Sequence, residues 1–290
     1  MKPFESTYIE ITSSCNQQCS FCPGTSRKKE FMTPDLFEHI ARQLENKTRF
    51  IFFHVMGEPL LHPELDTLFD LSHRYTHRVN ITTNGTLLME KLLVLKEAPA
   101  LRQVNISLHW LNEIEDHDRA ASYMKDILTF TRETRDKKDY YITFRLWNMN
   151  EAGLNRSNRL AAEMIEKEFN LDYSITDTKA TYKGLLLGKN IFLNHDTSFQ
   201  WPDLKNPLRD EERFCLALRK QVALLVDGTV VPCCLDSNGT IALGNIKDQA
   251  LENILQSPRA RALYNGFSEG RAVEELCRHC GHKSLFRVKK

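Results

Sequence analysis

Short runs rich in Ile, Val, Phe and Thr recur through the first half of the chain. Each is followed by a longer stretch compatible with a helix. Residues 8–11, 50–56, 79–83, 104–108 and 140–147 predict strands, and 34–45, 63–73, 87–96, 113–134 and 156–167 predict helices. Thr33-Pro34 opens the first helix, with Thr as N-cap and Pro at the first helical position. Repeated strand–helix units imply an α/β fold whose parallel sheet has right-handed crossovers. In such sheets and barrels chemistry collects at the carboxyl ends of the strands. The loop at Cys15, the tripeptide Gly57-Glu58-Pro59 and the segment Thr82-Thr83-Asn84-Gly85 fall there, with Ser107 and Arg145 near the next two strand ends.

Beyond about residue 195 the texture changes. Pro202, Pro207 and the charged run 209–213 precede Cys215. Residues 222–226 and 229–231, joined by Asp227-Gly228, read as a β-hairpin with a type I′ turn. A boundary is expected near 205–212, dividing the chain into 1–207 and a cysteine-rich appendage, 208–290.

The 290 residues are 41% apolar and 27% charged, enough to bury about 75% of the unfolded surface. Thirty-nine Lys and Arg against 38 Asp and Glu leave a charge of +1, so nucleic acid and anionic membranes are not expected partners. Apolar runs stay far below the ~20 residues that span a bilayer. The start, Met1-Lys2-Pro3-Phe4-Glu5, lacks a signal-peptide core, which predicts a cytoplasmic protein. Secreted, membrane-spanning and disordered classes are thereby excluded. Cysteines in such a compartment are reduced, which favours metal or redox chemistry over disulfides.

The eight cysteines form two groups: Cys15, Cys19 and Cys22 near the start, and Cys215, Cys233, Cys234, Cys277 and Cys280 in the last quarter. Cysteines used as core hydrophobes would scatter, so two metal sites are expected. Three thiolates are too few for a closed zinc site. They suit a [4Fe–4S] cluster with one iron left open.

Cys15-x3-Cys19-x2-Cys22, with Phe21 before the last cysteine, resembles the cluster motif of the radical S-adenosylmethionine (SAM) superfamily. The resemblance covers the whole chain and implies a partial (β/α)6 TIM-like barrel. In that family SAM chelates the open iron and is reductively cleaved to methionine and a 5′-deoxyadenosyl radical that abstracts hydrogen from substrate. The resemblance implies an electron donor such as flavodoxin or ferredoxin. Met56-Gly57-Glu58-Pro59 is similar to the family's Gly-Gly-Glu-Pro motif, with Met56 in place of the first glycine; Glu58 would accept from the SAM ammonium. Ser107 matches a ribose-binding position, Arg145 a basic position that contacts SAM, and backbone around Phe21 would meet the adenine. Taken singly, Glu58 reads equally as a loop carboxylate, Ser107 as a strand hydroxyl and Arg145 as a surface cation. Their order and placement favour the family roles. His54, His62 and His109 read as packing or supporting groups, and Trp110 and Trp147 as core.

Cys215-x12-Gly228-x4-Cys233, then 43 residues to Cys277-x2-Cys280, resembles the twitch domain, a truncated relative of SPASM. One auxiliary [4Fe–4S] cluster on Cys215, Cys233, Cys277 and Cys280 is implied, with a Cys₄ zinc site as the alternative. Neighbouring strand residues point to opposite faces, which leaves Cys234 out. Twitch enzymes such as a GTP cyclase and an aminocyclitol dehydrogenase act on small polar molecules, so a small-molecule substrate is expected. General size and layout also resemble queuine lyase, which releases preQ1. A peptide maturase and a non-enzymatic Fe–S or zinc protein are the alternatives.

Overall fold

The computed structural model describes residues 3–137, 140–149, 156–178, 184–197, 200–209 and 214–282, with side chains described except at 147–149, 156–157 and 196–197. The run at 210–213 and the Trp147 side chain lie outside the described residues. In chain order the elements are β1 (Phe4–Ile9), α1 (Pro34–Leu44), β2 (Thr48–Phe53), α2 (Leu65–Arg74), β3 (Val79–Thr83), α3 (Leu92–Glu97), β4 (Leu101–Ser107), α4 (His117–Thr134), β5 (Tyr141–Met149) and α5 (Arg156–Phe169). There follow β6 (Leu185–Gly188), β7 (Ile191–Thr197), β8 (Gln221–Leu224), β9 (Thr229–Val231), β10 (Gly244–Asn245), α6 (Leu251–Leu255), α7 (Pro258–Ser268) and α8 (Glu275–Arg278). None of the described helices is long and apolar enough to cross a membrane.

All the strands join one sheet in the order β10-β9-β8-β1-β2-β3-β4-β5-β7-β6. The run β1-β2-β3-β4-β5-β7 is parallel throughout, and the sheet does not close, giving a partial barrel. Ile51, Phe53, Val79, Ile81, Val104, Ile106, Ile142 and Phe144 are fully buried in the main apolar core, shared with Phe37, Ile40 and Leu44 of α1 and Met124, Ile127 and Phe130 of α4. Alternate positions on the same strands, Tyr8, Phe52, His54, Thr82, Ser107 and Arg145, are only half-buried and face the other side.

The predicted elements are present with shifted ends. Thr33 caps α1, its hydroxyl accepting from the Leu36 N–H at 3.3 Å. The helix expected over 113–134 begins only at His117, where Asp116 caps the Arg119 N–H at 2.7 Å, and Glu113 instead ends a 3-10 turn over Leu108–Glu113. The hairpin β6–β7 was not anticipated, and β7 supplies the sixth parallel strand.

The Asp227-Gly228 turn is not type I′, which needs positive φ at both residues. Only Gly228 is left-handed, at φ +89. The turn closes from the Gly228 N–H to the Leu225 carbonyl at 2.9 Å, while Asp227 Oδ1 accepts from the Thr229 N–H at 3.0 Å. That side-chain bond supports a right-handed turn followed by a left-handed glycine. Strand β8 pairs in parallel with β1, from Ser6↔Gln221 to Ile9↔Leu224, so backbone hydrogen bonding runs straight across the expected boundary at 207/208.

Candidate functional site: two thiol sets

The first cysteine loop leaves β1 and is tied down on every side. Thr12 pairs with Phe31 across its neck, and the Ser13 hydroxyl donates to the Lys28 carbonyl while accepting from the Glu30 N–H, both at 2.9 Å. The Cys22 N–H donates to the Cys19 carbonyl at 3.0 Å. Glu113 Oε1, just beyond β4, accepts from the Ser20 N–H at 2.9 Å and the Ser20 hydroxyl at 2.7 Å. The three thiols are close enough to act on one another. Burial raises Cys15, and burial with Cys15 and Cys22 pushes Cys19 up to about 12. Iron would hold all three as thiolates, its positive charge offsetting their mutual repulsion.

Glycine is required at residue 57. Its φ is +78, a Cβ there would run into the Thr12 carbonyl oxygen, and the Ser14 oxygen would lie 2.9 Å away. The Glu58 N–H donates to that Ser14 carbonyl at 2.8 Å, so the β2 turn is laced to the cysteine loop. The Glu58 side chain is 2% exposed. Its Oε1 accepts from the Leu60 N–H at 3.0 Å and the Thr83 hydroxyl at 2.8 Å, and its Oε2 from the Asn84 N–H at 2.7 Å. Three of about four lone-pair positions are thus filled, leaving one for a ligand. Burial pushes the Glu58 carboxyl up to about 7 against the pull of those three donors.

Asn84 is the second junction, and the sequence reading placed it only at a strand end. Its Nδ2 donates to Asn16 Oδ1 at 2.8 Å and points toward Cys15 Sγ, 4.0 Å away. Its Oδ1 accepts from the Thr86 N–H at 3.0 Å, and its carbonyl accepts from the Tyr123 hydroxyl at 2.6 Å. Asn16, Asn84, Glu113 and Tyr123 carry no motif of their own, so spacing could not single them out.

Ser107 and Arg145 lie directly opposite each other in the β4–β5 register. Burial lowers Arg145 to about 10, opposed by the nearby Tyr8 and Cys234 groups. His54 is pushed down to about 3 and His109 to about 4, each by burial and then by Arg145, so both rings are neutral. Phe21 is 39% exposed and meets His109 edge-on, with ring centroids 4.8 Å apart. Tyr8 stacks on Phe52 at 5.0 Å with His54 set edge-on to Tyr8. His62 bonds the Met32 carbonyl at 2.9 Å, a packing role, and Trp110 is partly buried against the core.

In the second group, Cys215, Cys233 and Cys277 pack partly buried against the main core. Burial raises Cys233, and the nearby Cys234, Cys215 and Cys277 add to it; burial raises Cys277, with Cys215 and Cys280 adding. Cys234 turns elsewhere. It packs with Tyr8 beside Val55, Ala223, Leu225 and Val231, and takes a hydrogen bond from the Tyr8 hydroxyl. Among the described residues no three Cys, His, Asp or Glu side chains already stand at single-ion spacing. Thiolate-only donor sets of this kind suit iron–sulfur clusters, in which each thiolate binds its own iron.

Residues 9–146 match the radical SAM superfamily and residues 215–281 match SPASM, an iron–sulfur cluster-binding domain. The chain is a radical SAM enzyme with an auxiliary cluster domain, and it uses a SAM-binding [4Fe–4S] cluster and an auxiliary iron–sulfur cluster. It is 26% identical over 292 aligned positions to the S-adenosyl-L-methionine-dependent 2-deoxy-scyllo-inosamine dehydrogenase of Niallia circulans, covering 98% of this chain and 95% of that one. It is 32% identical to the GTP 3′,8-cyclase of Aquifex aeolicus, over 38% of this chain and 37% of the cyclase. Among solved structures, BtrN in complex with AdoMet and 2-DOIA superposes with a TM-score of 0.62 at 21% identity, over 98% of this chain and 96% of BtrN. Streptococcus suis SuiB bound to precursor peptide SuiA gives 0.62 at 16% identity, over 97% of this chain and 70% of SuiB. At these identities the two structures speak for the fold. The non-enzymatic alternative is set aside.

Proposed function

We propose that the chain abstracts hydrogen from a small polar molecule and oxidises it, as a dehydrogenase. The observation that carries this reading is the nearly end-to-end alignment, through both cysteine groups, with a dehydrogenase whose name specifies a small aminated ring. In this reading Cys15, Cys19 and Cys22 hold the SAM-binding cluster, and Cys215, Cys233, Cys277 and Cys280 hold the auxiliary one. When bound, the first cluster and SAM would supply the 5′-deoxyadenosyl radical that takes one hydrogen atom, and the auxiliary cluster would supply an acceptor for the second electron as a proton leaves to solvent. The protein's part is to place Glu58 for the SAM ammonium, Ser107 and Arg145 for the ribose and carboxylate, and backbone near Phe21 for adenine. Boundaries of 1–207 and 208–290, cytoplasmic location and a flavodoxin or ferredoxin donor belong to the same proposal.

The test is anaerobic reconstitution with dithionite and SAM. Parent protein forms 5′-deoxyadenosine, whereas the Cys15→Ala/Cys19→Ala/Cys22→Ala variant loses about four irons per chain and all such product. Unchanged SAM cleavage in that variant would overturn the ligand assignment. Ring-deuterated 2-deoxy-scyllo-inosamine reads out hydrogen transfer as deuterated 5′-deoxyadenosine. The queuine lyase reading, which rests on size and layout, is tested in the same assay by preQ1 release from queuine. A peptide maturase would instead transfer deuterium from a labelled peptide.

A further inference from the structure

One buried ion pair connects the two halves of the enzyme. Glu10 is the residue after β1, fully buried, and the side chain of Arg27, on the returning limb of the cysteine loop, is 16% exposed. Arg27 Nη2 lies 2.6 Å from Glu10 Oε1. The same carboxylate accepts from the Met56 N–H at 3.2 Å through Oε1 and from the Val226 N–H at 3.0 Å through Oε2. A single side chain therefore holds the cysteine loop, the start of the Met56-Gly57-Glu58 motif and the turn between β8 and β9.

Arg27 extends the connection. Its Nε donates to the Ser237 carbonyl at 2.9 Å. Next to it, Asn238 Oδ1 accepts from the Thr25 hydroxyl at 2.9 Å and the Ser26 N–H at 3.0 Å. Thr25 follows Cys22 by three residues and Ser237 follows Cys233 by four. The short segments that leave the two thiol groups are thus clasped to each other directly. Apart from each other, the Glu10 and Arg27 side chains bond backbone groups, the Met56 and Val226 N–H and the Ser237 carbonyl, so the pair acts on the position of both loops.

We propose that Glu10, Arg27 and Asn238 form a positioning element that fixes the SAM-binding loop against the auxiliary domain, so that productive SAM cleavage depends on this clasp. The inference rests on the reading that Cys15, Cys19 and Cys22 hold the SAM-binding cluster. Removing both charges avoids leaving one buried and unpaired, although the amide in Glu10→Gln turns a donor toward the Met56 or Val226 N–H, so melting is followed beside the rate to separate positioning from folding. A misplacement of about 1 Å can lower a rate by about 10²-fold.

The experiment compares reconstituted full-length parent, the Glu10→Gln/Arg27→Met double variant and Asn238→Ala. It measures iron per chain, melting, the rate of 5′-deoxyadenosine formation and the EPR spectrum of the reduced protein with and without SAM. The double variant is expected to retain iron and to cleave SAM about ten- to a hundred-fold more slowly, with a weakened SAM-induced change in the spectrum. Asn238 is exposed, so Asn238→Ala folds whatever becomes of the double variant, and a drop of about two- to ten-fold is expected there. Arg27→Lys, which keeps the charge, should recover part of the rate. Cleavage and spectra matching the parent in Asn238→Ala, or in a folded double variant, would overturn the inference. Absence of 5′-deoxyadenosine from the parent would instead overturn the reading of the first cluster.

Discussion

At the scale of single residues, burial decides the protonation of the groups that matter. The Glu58 carboxyl sits at about 7 because it is withdrawn from water. Its raised value favours the folded state fully below the unfolded value of about 4.3, and that contribution is lost as pH rises through about 7. The SAM ammonium needs the carboxylate form, so SAM affinity is expected to increase as pH rises through about 7, measured by titration calorimetry across pH 6 to about 8. Glu58→Gln should weaken SAM binding about five- to thirty-fold, since a charge-assisted bond contributes roughly 1–2 kcal/mol. The amide would also point a donor at the Asn84 N–H, or at the Leu60 N–H and Thr83 hydroxyl, so a lower melting temperature with the fold retained is expected. An isotherm like that of the parent would count against the role given to Glu58.

Glu10 behaves differently because its charge is paired. Burial still raises it, and Arg27 opposes the rise. Arg27→Ala leaves that carboxylate buried without its cation, which costs about 3–5 kcal/mol. The carboxyl then rises further, and the raised group favours folding at low pH. Denaturant melts should place the variant nearer the parent at about pH 5 than at about pH 8. A deficit independent of pH would show that the charge on Glu10 is not the cause.

Among the elements, the turn after β2 carries the strictest demand. Gly57 has a left-handed backbone, and the atoms a Cβ would meet are carbonyl oxygens, which cannot swing away. Gly57→Ala should therefore lift the β2 turn off the cysteine loop. The expected result is loss of about four irons of the total of about eight, with the auxiliary iron retained. Full iron content and normal SAM cleavage would contradict this. The hairpin β8–β9 makes the complementary point. It adds to the barrel sheet beside β1, and its turn is built by a left-handed Gly228 with an Asp227 side-chain bond. Propensity marked the hairpin correctly, yet turn type depended on which oxygen the Asp227 side chain met. Likewise β6–β7 carries no clear strand signal, because β6 has only four residues and the second half of β7, Asn194-His195-Asp196-Thr197, is polar.

For the whole molecule, the auxiliary cluster would close the long loop between Cys233 and Cys277, so metal binding and folding are linked there. Cys277→Ser should lower both metal content and melting temperature. Cys234→Ser should change neither appreciably, because that thiol packs with Tyr8, Val55 and Leu225, whereas Cys215, Cys233 and Cys277 pack against the main core. Anomalous scattering at the iron and zinc edges identifies the metal, and density joining it to Cys234 instead of Cys233 would reverse the assignment.

The sequence by itself determined the strand–helix alternation, the two cysteine groups and the Met56-Gly57-Glu58-Pro59 turn, because each depends on local spacing or on chemistry carried by residue type. Strand alternation, the ground the sequence offered for separating Cys233 from Cys234, does not apply, because β9 ends at Val231 and both residues lie in the turn beyond it; their different packing is a tertiary result. Only the tertiary structure decided that Glu58 is engaged by Leu60, Thr83 and Asn84, that Tyr123 and Glu113 brace the site from beyond β4, and that Glu10 and Arg27 reach Val226 and Ser237. Those contacts join residues up to 216 apart in the chain. No periodicity or motif encodes them, because they exist only once the parallel sheet has brought the ends of separate strands together.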